Sequence, residues 1–263
     1  MMNNFKALFL DIDGTILRKD HSIEASTIEA VKQAQSQGIE VFLATGRPLH
    51  EIDEIAETLQ IESLIGYNGA YAVYNGKTIV NEPLDGEIID HYLEVAKQQQ
   101  HEMILYTNQL NLLTNRTKDY VKEFIDYFHL KDYQLYDQRY RDDILGITVM
   151  NVKPQEPVLY ELPNESIYFS QVNVQGLEHN YDVIRESVNK GHAIQHTLKQ
   201  LAIEPSQAIA FGDGLNDKQM LQAVEHSFAM GNANQELFAY AKHKTTSVED
   251  SGIHNGLAKL GIV

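Results

Sequence analysis

Short apolar segments that alternate with amphipathic helices place the strongest constraint on this fold. Residues 6–10 and 40–44 are mostly apolar runs of strand length, and each precedes a segment with helical periodicity, over residues 23–37 and 48–59. Strands without an alternating polar face are typical of parallel sheets, which helices cover on both faces. A parallel pair also needs a crossover helix between its strands. This order therefore predicts an α/β fold with a Rossmann-like, doubly wound parallel sheet.

The alternation stops after a predicted hairpin and resumes near the C-terminus. Residues 70–74 and 77–80 flank Asn75-Gly76, a pair that favours a type I′ turn. The resumed pattern predicts helices over 191–201, 216–223 and 234–242 and strands over 207–211 and 227–230.

The segment between these two regions has a different composition. Residues 84–186 hold 10 of the 14 tyrosines but only 3 of the 16 glycines. The pattern within this segment predicts helices over 85–100 and 117–128 and strands over 103–106, 110–114, 144–150 and 167–175. We therefore expect one core domain, residues 1–82 and 187–263, with an α+β cap domain inserted over residues 83–186. Uneven composition within a single domain remains the alternative.

Charge and composition exclude several classes of protein. With 21 basic and 37 acidic side chains, the formal net charge is −16, which argues against nucleic-acid binding and against docking on anionic lipid. A phosphate substrate stays compatible, because a bound cation reverses the local field. Without cysteine there is no disulfide, thiolate metal site or cysteine nucleophile. No apolar run is long enough to span a membrane or to form a signal peptide, so we expect a cytoplasmic protein.

Acidic side chains follow the first predicted strand directly. In open parallel sheets the ligand site lies outside the carboxyl ends of the strands, where Asp11 and Asp13 would emerge. Strand alternation directs both side chains the same way, and two carboxylates so close together either raise the pKa of one of them or require a cation. Oxygen ligands alone indicate Mg²⁺. A loop that carries two aspartates by coincidence is the alternative.

Two further strand ends carry polar side chains. Thr45 and Gly46 follow the second strand and precede a helix, an arrangement that can hold a phosphate, although it also fits an ordinary turn with a helix cap. Asp213 follows the strand over 207–211 and would add a third carboxylate. Asn216 and Asp217 come next, and either residue could simply cap the following helix.

Lys190 begins the resumed helical pattern. Most lysines are solvated surface charges, and alone this one would be read in that way. Beside three carboxylates and a phosphate, however, a cation is required to balance the charge.

These segments resemble the motifs of the haloacid dehalogenase-like superfamily of phosphohydrolases. The similar segments, in the order of the four family motifs, are 11–15, 45–47, 190–191 and 212–217. Residues 67–70 and 228–233, with the large insertion between the second and third motifs, are similar to the Cof-type subfamily of class IIB, which has an α/β cap.

The resemblance implies a Mg²⁺-dependent phosphatase that acts on small phosphorylated metabolites, sugar phosphates or similar compounds. Asp11 would be the nucleophile that forms an aspartyl-phosphate, and Asp13 the general acid and base. Asp11, Asp13 and Asp213, with the Ile12 carbonyl, would surround the metal ion, and Asp217 would support it.

The remaining residues of the motifs would contact the substrate. Thr45, Gly46, Lys190 and Asn216 would hold the phosphoryl oxygens. Asn68 and Arg47 are weaker candidates for substrate or cap contacts. The cap would close over the core and select the substrate.

Two alternatives to a phosphatase stay open. A sugar phosphomutase of the same superfamily shares both aspartates, and a non-catalytic phosphometabolite-binding protein could keep the same sheet. Asp13 favours phosphate esters over carbon–halogen bonds, because a halide needs no proton when it leaves. We expect a monomer or a homodimer whose partner is a small phosphorylated metabolite.

Overall fold

The apolar runs at the two ends of the sequence form neighbouring strands of one sheet. The computed structural model describes residues 4–163, 165–172 and 174–263. Over these residues the chain divides into two compact units. The first comprises the residues up to Arg47, Ile52–Asn81 and Asn189–Val263, and the second comprises Pro48–Glu51 and Glu82–Val188.

The first unit begins with alternating strands and helices and ends its first part in a hairpin. In chain order these elements are β1 (Ala7–Leu10), α1 (Ala25–Ser36), β2 (Glu40–Ala44), α2 (Asp53–Leu59), β3 (Ser63–Gly66), β4 (Tyr71–Tyr74) and β5 (Lys77–Asn81). Asn75 and Gly76 both have positive φ, 47° and 73°, as a type I′ turn requires.

The second unit is an α+β module. Its elements are α3 (Gly86–Gln99), β6 (Glu102–Tyr106), β7 (Asn111–Leu113), α4 (Asp119–Phe128), β8 (Tyr133–Leu135), β9 (Gly146–Met150), β10 (Ile167–Gln171) and β11 (Tyr181–Arg185). Among the described residues these strands form a mixed sheet in the order β10-β11-β9-β6-β7-β8. Position 173, inside the strand predicted over 167–175, lies outside the described residues.

The chain then completes the first unit. The last elements are α5 (Lys190–Gln200), β12 (Ala208–Gly212), α6 (Lys218–Ala223), β13 (His226–Ala229), β14 (His243–Lys244) and α7 (Gly252–Lys259). In the described part of the chain, eight strands form one sheet in the order β14-β13-β12-β1-β2-β3-β4-β5. The strands from β14 to β3 are parallel, and β4 and β5 add an antiparallel edge.

Helices cover both faces of this sheet. Phe9 and Phe42 on one face pack against apolar side chains of α5 and α6, including Ile194 and Met220. On the other face Gly256 of α7 lies close to the Phe211 ring. The expected α/β fold with a doubly wound parallel sheet is therefore confirmed.

Several predicted elements differ from those observed. The helix predicted over 48–59 is a 3₁₀ turn (Leu49–Glu51) followed by α2, because Ile52 has non-helical angles (φ −112°, ψ 8°). The helix predicted over 234–242 is only a short 3₁₀ segment, Gln235–Ala239, because the chain then extends into β14. Strands β3, β8, β11 and β14 and helix α7 were not predicted; of these strands, β8 and β14 have only three and two residues.

No helix in the described ranges combines the length and the apolar character that crossing a bilayer requires.

Candidate active site

The carboxyl ends of three parallel strands bring the predicted polar residues to one edge of the sheet. Leu10, the last residue of β1, lies level with Phe211 of β12 on one side and Leu43 of β2 on the other. The ladder continues for one more residue, since the Asp11 N–H donates to the Phe211 carbonyl at 3.1 Å. Because the strands end in register, the loops that follow them begin side by side.

Three carboxylates gather at this edge. Oxygen atoms of Asp11, Asp213 and Asp217 lie within 4.8 Å of one another. Asp11 and Asp217 are buried and Asp213 is partly buried. Repulsion between buried like charges at this separation raises the pKa of some of them or is relieved by a compensating cation. Asp13, which the sequence also predicts as a metal ligand, lies outside this group of three, and its carboxylate pairs with Arg47.

Lys190 supplies a positive charge to the cluster. Its Nζ donates to Asp11 Oδ1 and to Asp217 Oδ1, at 2.6 Å each, and the side chain is fully buried. The residue is held there because it opens α5, whose N-cap Asn189 accepts a hydrogen bond from the His192 N–H. Lys190 was expected to hold phosphate. In the structure, two of its three N–H groups donate to carboxylates instead.

The charges are unbalanced in spite of this lysine. Burial, and then the negative charge of Asp217, raise the pKa of Asp11 well above its ordinary value. Burial, followed by the charge of Asp217, also raises the pKa of Asp213 to about 6. Burial lowers the pKa of Lys190, but the carboxylates of Asp11 and Asp217 outweigh burial and raise it above its ordinary value. The single ammonium thus contacts two of the three carboxylates, and the excess negative charge favours a further cation.

Asp217 organises the loop after β12. Its Oδ2 accepts the backbone N–H groups of Asp213 and Gly214, at 2.9 and 3.0 Å, while its Oδ1 accepts from Lys190. Both oxygens are therefore already engaged by protein donors. Asp217 fits a supporting role better than that of a direct metal ligand.

Gly14 allows the Asp213 carboxylate to approach the loop after β1. Its φ is +82°, in the region that favours glycine. A Cβ atom at this position would overlap the Asp213 carboxylate. Thr15 lies on the same side, with its Oγ1 at 3.4 Å from Asp213 Oδ1.

Asp13 forms a two-point ion pair with Arg47. The Arg47 Nε donates to Asp13 Oδ2 at 2.8 Å, and its Nη2 donates to Oδ1. The Asp13 side chain is 55% exposed, in contrast to the buried Asp11. The sequence suggested a substrate or cap contact for Arg47, whereas the structure pairs it with Asp13 across two loops of one unit.

The predicted phosphate ligands lie beside one another around Asn68. Thr45 is buried, and its Oγ1 accepts the Arg47 N–H at 3.1 Å. A Cβ on Gly46 would lie 3.0 Å from Asn68 Oδ1, and that same oxygen accepts from Asn216 Nδ2 at 3.0 Å. The Asn68 N–H donates to the Thr45 carbonyl at 3.1 Å, so three of the proposed phosphate ligands and Asn68 belong to one cluster.

Asn232 also contacts this edge, although the sequence assigned it no role. Its Nδ2 donates to the Gly14 carbonyl at 2.8 Å and to Asp213 Oδ2 at 3.2 Å. Asn232 lies in segment 228–233, which carries part of the family resemblance. That segment was the only available signal, and it did not indicate a function for the amide.

The residues present fit a divalent oxygen-binding cation. Asp11 and Asp213 offer hard carboxylate oxygens, and the group as a whole has excess negative charge. Mg²⁺ prefers one or two carboxylates together with waters and substrate phosphate oxygens. The donor set is therefore appropriate for that ion.

Comparison with known proteins gives a consistent result. The family model described as haloacid dehalogenase-like hydrolase matches residues 8–257. The protein YkrA of Bacillus subtilis (strain 168) is 31% identical over 260 residues, which cover 98% of each chain.

Solved structures agree over nearly the whole length. A protein from Geobacillus kaustophilus HTA426 is similar with a TM-score of 0.90 and 28% identity, and the match covers 98% of this chain and 100% of that one. The subclass IIB sugar phosphatase BT4131 gives a TM-score of 0.81 at 25% identity, with 98% and 100% coverage. With the four motifs at one sheet edge and a family match over most of the chain, this protein belongs to the haloacid dehalogenase-like hydrolases.

Proposed function

We propose that this hydrolase is a Mg²⁺-dependent phosphatase that cleaves phosphate monoesters of small metabolites, such as sugar phosphates, through an aspartyl-phosphate on Asp11. One observation carries the proposal. The Asp11 carboxylate lies beside two further carboxylates and a buried ammonium at the ligand-binding edge of a parallel sheet. The name of the structural neighbour BT4131, a sugar phosphatase, supports the same reaction class.

Asp11 and Asp213 would hold the Mg²⁺ ion, and Asp217 would support them. The Ile12 carbonyl was also expected at the metal, but it accepts the backbone N–H groups of Ile16 and Leu17, at 2.9 and 2.8 Å, so we do not assign it to the ion. The ion supplies charge neutralisation, which permits an anionic phosphate to approach an anionic nucleophile. Lys190 keeps Asp11 oriented through the 2.6 Å hydrogen bond to Oδ1. The other Asp11 oxygen is the one we assign to the attack on phosphorus.

In the first step, Asp11 attacks the phosphorus atom and the bond from phosphorus to the ester oxygen breaks. Protonated Asp13 gives its proton to the departing alkoxide, which leaves as an alcohol. The ion pair with Arg47 must open before this transfer, because Arg47 donates to both Asp13 oxygens. The 55% exposure of the Asp13 side chain leaves it accessible to a leaving group.

In the second step, water attacks the aspartyl-phosphate. Asp13 accepts the proton of this water, the bond between phosphorus and the Asp11 oxygen breaks, and inorganic phosphate leaves. Thr45, the Gly46 amide and Asn216 bind the phosphoryl oxygens in both steps, and the third N–H of Lys190 is available for the same purpose. We assign substrate selectivity to the inserted segment, residues 83–186.

A phosphomutase remains the second candidate, because it would use the same two aspartates. A mutase would return the phosphoryl group to another hydroxyl of the sugar, whereas a phosphatase gives it to water. The comparison that favours hydrolysis is the family match to hydrolases.

The test is phosphate release from a panel of phosphorylated metabolites, with and without Mg²⁺. Wild-type protein is expected to release phosphate only with the metal, and Asp11→Asn is expected to release none. Asp20→Asn, which changes an exposed aspartate of the same unit, is the matched control and should retain activity. Isomerised sugar phosphate without free phosphate would identify a mutase, and binding without either product would identify a sensor.

A further inference from the structure

The Asn232 side chain connects three loops of the first unit. Its Nδ2 donates to the Gly14 carbonyl after β1 and to Asp213 Oδ2 after β12, at 2.8 and 3.2 Å. Its Oδ1 accepts the backbone N–H of Val248, which follows β14, at 2.9 Å. We propose that Asn232 is a positioning residue that holds the Asp213 carboxylate in the orientation in which it binds the cation. This inference rests on the proposed metal site.

The orientation of the Asn232 amide is determined by its partners. The Val248 N–H can only donate, so the atom that faces it must be the amide oxygen. The Gly14 carbonyl and the Asp213 carboxylate can only accept, so the NH₂ group must face both. The backbone reinforces this placement, since the Gly231 N–H donates to the Thr246 carbonyl at 2.9 Å.

A neutral donor suits a metal ligand. Asn232 restrains Asp213 Oδ2, and the Thr15 hydroxyl lies 3.4 Å from Oδ1, so each carboxylate oxygen has a polar neighbour without charge. An ammonium in the place of Asn232 would compete with the cation for the same negative charge. The amide restricts rotation of the carboxylate and leaves its charge for the metal.

The effect on metal binding can be separated from stability. Asn232 is exposed, so water can replace its hydrogen bonds when the side chain is removed, and the fold should tolerate the change. Asn234 is a matched control. It lies two residues away, and its side chain caps the Gln235–Ala239 turn by accepting the Glu236 N–H at 3.0 Å.

The experiment is a calorimetric titration of the full-length protein with Mg²⁺ in the absence of substrate. Asn232→Ala is expected to weaken Mg²⁺ binding by about 10- to 100-fold in the dissociation constant, the range typical of residues that orient a metal ligand. Asn234→Ala is expected to keep the wild-type value. Thermal unfolding in EDTA is measured for both variants, and they should lose similar amounts of stability.

Each outcome decides the proposal. An unchanged dissociation constant in Asn232→Ala, or an equal loss in Asn234→Ala, would overturn the role of Asn232 and leave the proposed metal site intact. Absence of Mg²⁺ binding by the wild-type protein would overturn the metal site as well. If Asn232→Ala fails to fold, Asn232→Ser is used instead. It also removes the amide contacts, by a smaller change of the side chain, and the same criteria apply.

Discussion

Replacement of Asp213 by asparagine should stabilise the metal-free protein at neutral and alkaline pH. Burial and the nearby charge of Asp217 raise the pKa of Asp213 from 3.8 to about 6. Because the folded protein binds this proton more tightly than the unfolded chain does, protonation of Asp213 stabilises the folded state. This contribution is complete below pH 3.8, the ordinary pKa of the group, and is lost as the pH rises through about 6. The substitution Asp213→Asn removes the charge and retains one acceptor oxygen for Asn232.

The size of the effect follows from the two pKa values. They differ by about 2 units, so the ionised carboxyl destabilises the fold by up to about 3 kcal/mol at pH 8. At pH 5 the folded protein is mostly protonated at this group, and the penalty falls to about half of that value. The stability advantage of Asp213→Asn should therefore shrink by about half between pH 8 and pH 5.

The assay is urea unfolding in EDTA at pH 5, 6, 7 and 8, followed by circular dichroism, for the wild-type and variant proteins. The difference between the two at each pH cancels contributions from groups that the substitution leaves alone. A variant that is less stable than wild type at pH 8, or an advantage that does not depend on pH, would refute the electrostatic account of the carboxylate cluster.

The remaining predictions concern the same edge of the sheet. Lys190→Met should destabilise the protein by about 3–5 kcal/mol in urea unfolding, because it leaves buried carboxylates without their ammonium. The control Lys32→Met, on the exposed side of α1, should change the free energy of unfolding by less than about 0.5 kcal/mol. Gly14→Ala should abolish most phosphate release, because the new Cβ would overlap the Asp213 carboxylate. Gly38 is the control, since it has a similar positive φ but open space around it. Gly38→Ala should therefore lower the free energy of unfolding through backbone strain and retain activity. Mg²⁺ at about 100 times its dissociation constant should stabilise the wild-type protein by about 2.7 kcal/mol at pH 8, and the gain should decrease at pH 5, where protons compete for Asp213.

Much of the site was predictable because it lies where strands end. Asp11 and Asp213 each follow an apolar run, and parallel strands in register bring such positions together. The role of Lys190 was predictable only from the carboxylates found elsewhere in the sequence. Its own sequence context indicates a helix start and gives no sign of burial.

The parts that could not be predicted depend on contacts between distant loops. The pairing of Arg47 with Asp13 joins the ends of β1 and β2, and no local pattern distinguishes it from a substrate contact. The Asn232 amide is placed by Val248, a residue after β14, and that two-residue strand carries no sequence signal of its own. Sequence patterns therefore located the carboxylates, while the residues that orient them required three-dimensional structure.

The most direct test of the proposed mechanism is detection of the covalent intermediate. The Asp13→Asn variant should be mixed with Mg²⁺ and p-nitrophenyl phosphate, whose leaving group departs without a proton from Asp13, then quenched in acid and examined by peptide mass spectrometry. Because this variant lacks the base that activates water, we predict one phosphoryl group on the peptide that contains Asp11, and none in Asp11→Asn. Phosphate release by Asp11→Asn at the wild-type rate, or a phosphoryl group on another residue, would contradict the mechanism.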